Sequence, residues 1–240
     1  MLEAIEISGL SYAYPDGAPA LQDIHMDVAK DSTLGIIGPN GAGKSTLLLH
    51  LNGLLQGKGN IFIFGIKLCD ATIKGIREKV GLVFQDPDNQ LFMPTVFDDV
   101  AFGPVNMGLS KGRVEEMASW ALNKVGMLYA RDKSSNHLSL GEKKRVAIAS
   151  VLSMKPRILV LDEPTSNLDP KSRSGLVEVL KEIGGTQIIA SHDLDLIYEL
   201  CDHVAVMNHG RIASMGHKTE ILGDAALLKR HDLLPRMLFH

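Results

Sequence analysis

The stretch GPNGAGKST, at positions 38 to 46, constrains the fold of this chain more than any other feature of its sequence. It follows the apolar run TLGII and fits the pattern G-x-x-x-x-G-K-[ST], with Gly38, Gly43, Lys44 and Ser45 at the required places. Glycines let backbone N–H groups approach anionic oxygens, and the lysine adds a cation that can reach the β- and γ-phosphates of a nucleotide. The pattern therefore predicts a phosphate-binding loop that follows a buried strand.

The residues after this loop favour the same interpretation. TLLLHLNGLL is apolar at helical spacing, so a helix would begin at the loop, and the dipole at its N-terminus favours bound anions. The Ser45 hydroxyl would coordinate Mg²⁺. The alternative is a glycine-rich turn between strand and helix that binds no ligand. The loop residues expected to contact the nucleotide are Gly38, Pro39, Asn40, Gly41, Ala42, Gly43, Lys44, Ser45 and Thr46.

Size and charge limit the other classes of ligand. A chain of 240 residues is long enough for one large α/β domain, or for a core with a small subdomain. The net charge is −3 and both signs are spread along the sequence, so no basic face argues for nucleic acid or anionic lipid. Cys69 and Cys201 lie far apart and predict neither a disulfide framework nor a zinc site. No run of eighteen apolar residues occurs that would span a bilayer.

The order of apolar runs predicts an α/β fold with a phosphate-loop NTPase core, a mostly parallel sheet, an N-terminal antiparallel β subdomain and an inserted helical subdomain. AIEISGLSYAY and LQDIHMDVA flank the turn PDGAP, which is typical of an antiparallel hairpin. RILVLDEP, TQIIASHD and HVAVMNHGRIASMG alternate with helical segments, as in a parallel sheet. The inserted helices should break at Gly103-Pro104 and at Gly108. The expected single nucleotide-binding domain, 1–240, divides into a core of 1–86 and 136–217, a helical subdomain of 87–135 and a short helical tail of 218–240.

Two carboxylates follow the predicted buried strand ILVLDEP. Such a strand would present Asp162 and Glu163 at the C-terminal edge of the sheet, where open α/β sheets bind ligands. Asp162 is placed to hold Mg²⁺, by the logic of hydrolytic phosphate-loop enzymes. Glu163 can polarise a water for attack on the γ-phosphate. The alternative is an acidic turn after a core strand.

The segment HLSLGEKKRVAIAS resembles the signature sequence of ATP-binding-cassette (ABC) ATPases. Ser139 and the backbone N–H groups around Gly141 would begin a helix and form a second anion site, 21 residues before Asp162. A simple helix cap followed by a basic amphipathic helix is the alternative. The EKKR run either contacts a partner or forms a solvated helix face.

The resemblance implies a head-to-tail dimer in which each ATP lies between Lys44 of one copy and the signature of the other. It also implies one role for each residue that matches a family motif. Those residues are Ser139, Gly141, Glu142 and Asp169 at the dimer interface, Gln85 at Mg²⁺ or the lytic water, His192 at the γ-phosphate, and Tyr14 on adenine, with Tyr12 as its competitor. The family usually has glycine where this chain has Leu140 and glutamine where it has Glu142. If the family fold needs a permissive backbone there, Leu140 would weaken closure of the dimer.

The stretch QDPDNQLFMPTVFDDVAFGPVNMGLS resembles the ATPase subunits of energy-coupling-factor importers, particularly the CbiO type that serves cobalt and nickel uptake. The resemblance implies ATP and Mg²⁺ as cofactors, and a homodimer or a heterodimer with a related ATPase subunit. It further implies a transmembrane coupling subunit and a substrate-binding membrane subunit, no nucleic acid, and a peripheral location at the cytoplasmic face of the cell membrane. Leu91, Phe92 and Met93 would dock the coupling subunit unless they pack internally. The open alternatives are a vitamin as the solute, and a soluble ABC-type ATPase that serves an assembly or scaffold complex.

Overall fold

An antiparallel sheet is built on the N-terminal hairpin. In this computed structural model, which describes residues 3–233, β1 (Glu3–Ala13) pairs with β2 (Pro19–Ala29). β4 (Lys58–Ile63) pairs with the other side of β1, and β5 (Ile66–Lys67) completes the order β2-β1-β4-β5. The predicted hairpin is therefore confirmed.

A six-stranded sheet in the order β10-β9-β3-β8-β7-β6 forms the centre of the molecule. Five of its strands are parallel and the edge strand β10 is antiparallel to β9. Their bounds are β3 (Thr33–Ile37), β6 (Val80–Val83), β7 (Ile158–Asp162), β8 (Thr186–Ala190), β9 (His203–Asn208) and β10 (Arg211–His217). The central strands are apolar on both faces because both faces are covered. The predicted α/β fold with a mostly parallel sheet and an N-terminal antiparallel part is confirmed.

Two hydrophobic clusters cover the faces of this sheet. One face packs against the antiparallel sheet and against α1 (Lys44–Leu51), which begins directly after the glycine-rich loop. The other face packs against α5 (Leu140–Leu152) and α6 (Pro170–Ile183). The remaining helices around the sheet are α2 (Ile73–Arg77), α7 (Leu194–Leu200), α8 (Lys218–Gly223) and α9 (Ala225–Arg230). Because the parallel strands all end at one edge, the loops after β3, β6, β7 and β8 meet there.

Between β6 and β7 the chain is helical. α3 (Val96–Asn106) and α4 (Lys111–Lys124) pack on each other and on α5. The predicted break at Gly103-Pro104 is wrong, because α3 continues through both residues and ends only before Gly108, whose φ is 75°. Pro104 lies in the last turn and costs a single backbone hydrogen bond there. Gly103 leaves room for Met154, since a Cβ on it would lie 2.6 Å from the Met154 Sδ.

The division of the chain into a core, a helical subdomain and a tail stays a prediction. In the predicted tail, residues 218–233 contain α8 and α9, and residues 234–240 lie outside the described part. Within residues 3–233, none of the helices is both long and apolar enough to cross a membrane.

Candidate active site

A cleft of about 570 Å³ lies at the C-terminal edge of the parallel sheet, beside the first hairpin. It brings together residues that are far apart in the sequence, from the hairpin, the glycine-rich loop and the ends of three strands. The residues of the predicted site that line it are Tyr14, Asn40, Gly41, Ala42, Gly43, Lys44, Ser45, Thr46, Gln85, Asp162, Glu163 and His192. The predicted residues that do not line this cleft are Gly38, Pro39, Ser139, Gly141, Glu142 and Asp169.

The loop after β3 owes its shape to its glycines and its buried lysine. Gly41 and Gly43 have φ values of 79° and 101°, which side chains disfavour. A Cβ on Gly38 would lie 2.2 Å from the Met207 carbonyl oxygen, so only glycine fits there. Lys44 Nζ donates to Gly38 O at 2.7 Å and to Pro39 O at 3.2 Å. Burial lowers the pKa of Lys44, although the charges of Glu163 and Asp162 oppose this shift.

Asp162, at the end of β7, fits a magnesium ligand. Its Oδ1 atom is buried and has no hydrogen-bond partner among residues 3–233. Burial raises the pKa of Asp162, a hydrogen bond from Ser45 lowers it, and the neighbouring Glu163 charge raises it again. Ser45 and Gln85 line the same small space as Asp162. Hydroxyl, amide and carboxylate oxygens are the hard donors that Mg²⁺ prefers, so these three residues suit the ion.

Glu163 is buried, with only 6% of its surface exposed, and is held by the loop after β8. Its carboxylate accepts hydrogen bonds from Ser191 Oγ at 3.2 Å and from the His192 backbone N–H at 3.2 Å. The His192 Nδ1 atom lies 2.9 Å from Glu163 Oε2, and 65% of the His192 side chain is exposed to the cleft and solvent. The φ of Glu163 is 45°, a left-handed conformation that costs a non-glycine residue about 1–3 kcal/mol. Such strain persists where the surroundings fix it, as they do at functional sites.

Tyr14, and not Tyr12, lines the cleft. The Tyr14 hydroxyl lies 2.9 Å from Thr46 Oγ1, and 39% of the residue is exposed. Tyr12 packs instead on the buried His50, with ring centroids 4.9 Å apart. Tyr12 also packs edge-to-face on Tyr14, with ring centroids 5.2 Å apart, but does not line the cleft. The proposed stacking of Tyr14 on adenine stays a prediction.

The signature residues form the first turn of α5. The Ser139 hydroxyl accepts a hydrogen bond from the Glu142 backbone N–H, and the Glu142 carboxylate accepts one from the Ser139 N–H, so the pair forms a capping box. Leu140 is the first helical residue and does not have a positive φ, so a leucine meets no backbone strain at this position. Gly141 packs closely against α6, because a Cβ on it would lie 2.9 Å from Ser172 Oγ and would require that side chain to shift.

Hydrogen bonds also fix the carboxylates of Glu142 and Asp169, which the sequence placed at the dimer interface. Tyr129 donates to Glu142, and this bond, followed by those from Ser139, lowers the pKa of Glu142. Asp169 caps α6 by accepting from the backbone N–H groups of Lys171 and Ser172. Both carboxylates are therefore anchored in fixed positions on the surface of this chain.

The interpretation of EKKR as a solvated helix face is wrong for its second lysine. Lys144 is only 5% exposed, and its Nζ donates to the Glu163 backbone oxygen at 2.8 Å. Lys143 instead forms an ion pair with Asp88, at 2.7 Å. The buried residues of α5 are those at 141, 144, 146–149, 151 and 152, and within them 141, 144, 148 and 151 follow the helical period that puts Lys144 on the core face. That helical period is the signal that would have identified Lys144, and the position of Ser191 next to His192 would have identified Ser191.

A second concavity, of about 500 Å³, lies between α3 and the core. We call it the α3 groove; apolar side chains that line it are Ile73, Leu82, Phe84, Phe92, Phe102, Met107 and Met154. Phe92 is 65% exposed and packs edge-to-face on Phe102, with ring centroids 5.0 Å apart. Asp99 fixes the loop that presents Phe92, since its Oδ1 accepts from the Phe92 and Met93 backbone N–H groups at 2.9 Å each. Leu91 is buried in the core.

Sequence comparisons place this chain among ATP-binding proteins of transporters. Residues 21–166 match the family model described as ABC transporter. The energy-coupling factor transporter ATP-binding protein EcfA of Methanothermobacter thermautotrophicus is 51% identical over 240 residues, which cover 97% of this chain and 77% of that protein. The EcfA of Carboxydothermus hydrogenoformans is 47% identical over 239 residues, which cover 98% of this chain and 88% of that protein.

Solved structures show the same similarity in three dimensions. The structure of cbiO1 from Clostridium perfringens is described as part of the ABC transporter complex cbiONQ. It has a TM-score of 0.84 at 40% identity, and the match covers 99% of this chain and 96% of that one. The ATP-binding cassette MJ0796, described as dimeric and bound to ADP and Pi after hydrolysis, has a TM-score of 0.80 at 26% identity, covering 89% of this chain and 98% of that one. The similarity therefore extends over most of the chain.

Proposed function

The chain belongs to the ABC transporter family of ATPases, and from this premise we propose that it powers an energy-coupling-factor importer for cobalt or nickel. The observation that carries the proposal is the exposed α3 groove beside an ATPase cleft, in a chain whose relatives include two proteins named EcfA and a part of cbiONQ. The chain would lie at the cytoplasmic face of the membrane as a peripheral subunit.

Two copies of the chain, or one copy and a related ATPase subunit, pair head to tail around two ATP molecules. Support comes from the separation of the two anion sites, because Ser139 and Gly141 of a chain do not line the cleft that contains its Lys44. The first turn of α5 from the second copy brings N–H groups and the Ser139 hydroxyl to the γ-phosphate. Closure therefore requires the triphosphate, and loss of the γ-phosphate reopens the dimer.

Hydrolysis uses the residues at the strand ends. Glu163 accepts a proton from the attacking water, and His192, whose Nδ1 faces that carboxylate, orients the water and contacts the γ-phosphate. Lys44 holds the β- and γ-phosphates. Ser45, Gln85 and Asp162 would hold Mg²⁺, which when bound would supply positive charge beside the phosphates. Tyr14 stacks on the adenine ring.

The α3 groove receives a short helix of a transmembrane coupling subunit. The exposed Phe92 and Phe102 offer an apolar anchor, and Lys74, Arg77 and Glu78 at the edge of the groove give a polar rim. Gln90 connects this groove to the catalytic half of the chain. Its side chain accepts from the Phe84 N–H at 3.1 Å and donates to the Ala147 oxygen of α5 at 2.7 Å.

Coexpression with candidate membrane subunits tests this proposal. We expect the chain to stay in the detergent-solubilised complex, and Phe92→Asp to release it because a charge then lies on the apolar anchor. Tyr198→Asp is the matched control, since Tyr198 is an exposed aromatic residue outside the groove. A chain that never joins a membrane complex would instead be a soluble ABC-type ATPase of an assembly or scaffold complex.

The solute is identified by uptake in cells that lack this chain. Cobalt, nickel and vitamin uptake are measured in parallel. The deficient cells are then complemented with either the wild-type chain or the Glu163→Gln variant. We expect cobalt or nickel uptake to be lost and to be restored by the wild-type chain alone. Loss of vitamin uptake with metal uptake unchanged would contradict the proposed solute.

A further inference from the structure

Lys144 is a buried cation that joins the signature helix to the catalytic strand end. Its Nζ donates to the Glu163 backbone oxygen at 2.8 Å and to Ser166 Oγ at 3.0 Å. Ser166 Oγ in turn donates to the same Glu163 oxygen at 2.9 Å. Lys144 belongs to α5, whereas Glu163 and Ser166 follow β7, so these bonds connect two elements that meet beside the cleft.

The connection acts at a strained residue. Glu163 has a φ of 45°, and its backbone is fixed from both sides. Its N–H donates to the Ala190 oxygen at 2.8 Å, and its oxygen accepts from Lys144, from Ser166 Oγ and from the Ser166 N–H at 3.2 Å. Without the lysine, fewer donors would hold the peptide group that sets the direction of the Glu163 side chain.

The charge of Lys144 also suits this location. Burial lowers its pKa to about 8, while the carboxylates of Glu163, Asp162 and Asp86 oppose that shift. A cation behind two neighbouring carboxylates offsets their mutual repulsion. A neutral side chain of similar length would keep the packing and lose this effect.

We propose that Lys144 is a positioning residue, which holds Glu163 in its hydrolytic geometry and couples it to the signature turn at the start of α5. This inference rests on the proposed role of Glu163 as the base. In a head-to-tail pair, the first turn of α5 contacts one ATP, while Lys144 of the same helix holds the backbone of Glu163, whose carboxylate faces the other ATP. Closure around one nucleotide therefore affects hydrolysis of the second.

Steady-state ATP hydrolysis by the purified chain tests the inference. We expect Lys144→Met to lower kcat on the order of ten- to hundredfold, because small misplacement of a catalytic group costs about that much. The KM for ATP should change little, since the loop around Lys44 is untouched, and the Hill coefficient for ATP should fall towards one. Lys144→Gln should recover part of kcat, because its amide can donate to the Glu163 oxygen.

Lys79→Met is the matched control, since Lys79 Nζ donates to the Gly75 oxygen at 2.9 Å, outside the cleft. It should keep wild-type kcat and cooperativity. Thermal unfolding of each variant confirms that it is folded. Wild-type kcat and Hill coefficient in folded Lys144→Met would overturn the inference, as would equal losses in Lys144→Met and Lys144→Gln.

The double variant separates this inference from the proposed base. If Lys144 acts through Glu163, then adding Lys144→Met to Glu163→Gln causes no further loss of single-turnover rate. Additive losses would overturn the role of Lys144. Full activity of Glu163→Gln would overturn the base itself, whereas full activity of Lys144→Met beside an inactive Glu163→Gln would overturn only the positioning role.

Discussion

Glu163 illustrates how a functional residue depends on neighbours that its own sequence motif does not contain. Its side chain is held by Ser191 and His192, and its backbone by Lys144 and Ser166. These partners come from three different stretches of the sequence. The site therefore depends on the parallel sheet, which brings the ends of β7 and β8 to one edge, and on α5, which packs against that sheet.

Replacement of Glu163 by glutamine tests its role as the base. Glutamine keeps the size of the side chain and can still bond to His192, so ATP binding should be unchanged. Steady-state hydrolysis should fall roughly a hundredfold or more, the scale for a lost general base. Nucleotide binding by fluorescence and phosphate release are the two measurements. Unchanged hydrolysis would mean that a group other than Glu163 accepts the proton of the attacking water.

The sequence predicted individual site residues where a motif names them, and missed those that only packing defines. Asn40 to Thr46, Gln85, Asp162, Glu163 and His192 meet in one cleft, as their motifs led us to expect. Lys144 was missed because the run EKKR was expected either to contact a partner or to form a solvated face, and neither alternative buries a lysine beside Glu163. Leu140 could not be judged from the sequence, since the need for a positive φ depends on where α5 begins.

At the scale of elements, the position of α7 depends on a glycine in β3. A Cβ on Gly35 would lie 2.7 Å from Ile197 Cγ2, on the buried side of that helix, and 3.0 Å from the Sγ of Cys201, the buried residue that follows it. Gly35→Ala must therefore displace α7, and we expect a loss of about 1–3 kcal/mol in the free energy of unfolding.

Gly112→Ala is the matched control for this prediction. Gly112 lies in α4, where an added Cβ meets no atom of residues 3–233 within 4 Å. The substitution should raise stability by at most about 1 kcal/mol, because alanine loses less conformational freedom in a helix. Urea unfolding with an unchanged m-value gives both differences. If Gly35→Ala left the free energy of unfolding unchanged, α7 would be able to shift without loss of stability, and the prediction would be wrong.

Strands were predicted well because their apolar runs are short and bounded by turn residues. The error at Gly103-Pro104 has a physical origin, since a proline in the last helical turn removes only one hydrogen bond, and glycine at 103 leaves space for the Met154 side chain. Local sequence does not record such a tertiary contact. The capping box of Ser139 and Glu142 shows the opposite case, because both of its bonds are local and the helix start at Ser139 was expected.

At the scale of the whole molecule, two different defects should complement each other. In the proposed head-to-tail pair, Lys44→Ala would damage the cleft of its own chain. Ser139→Asp would damage the cleft of the partner, since it would set a carboxylate against the γ-phosphate while still capping α5. Each variant alone should be inactive. Their mixture should recover part of the hydrolysis, because one of the two clefts in a mixed dimer is intact.

The molar mass of the Glu163→Gln variant, measured by light scattering with and without ATP, accompanies this experiment. A dimer that forms only with nucleotide agrees with the head-to-tail arrangement. Activity of Ser139→Asp alone, or a nucleotide-bound monomer, would contradict it. The sequence could predict this pairing only through its resemblance to a family, since nothing within one chain shows which surface meets Ser139.

If the chain pairs head to tail as proposed, the separation of Ser139 from the cleft of its own chain also affects how such genes evolve. After a duplication, one daughter gene can lose its carboxylate at position 163 and the other its serine at position 139. When the two products associate, one of their two ATP sites still has both groups. Each daughter is then indispensable to the other, and an asymmetric pair becomes fixed without any new activity having arisen.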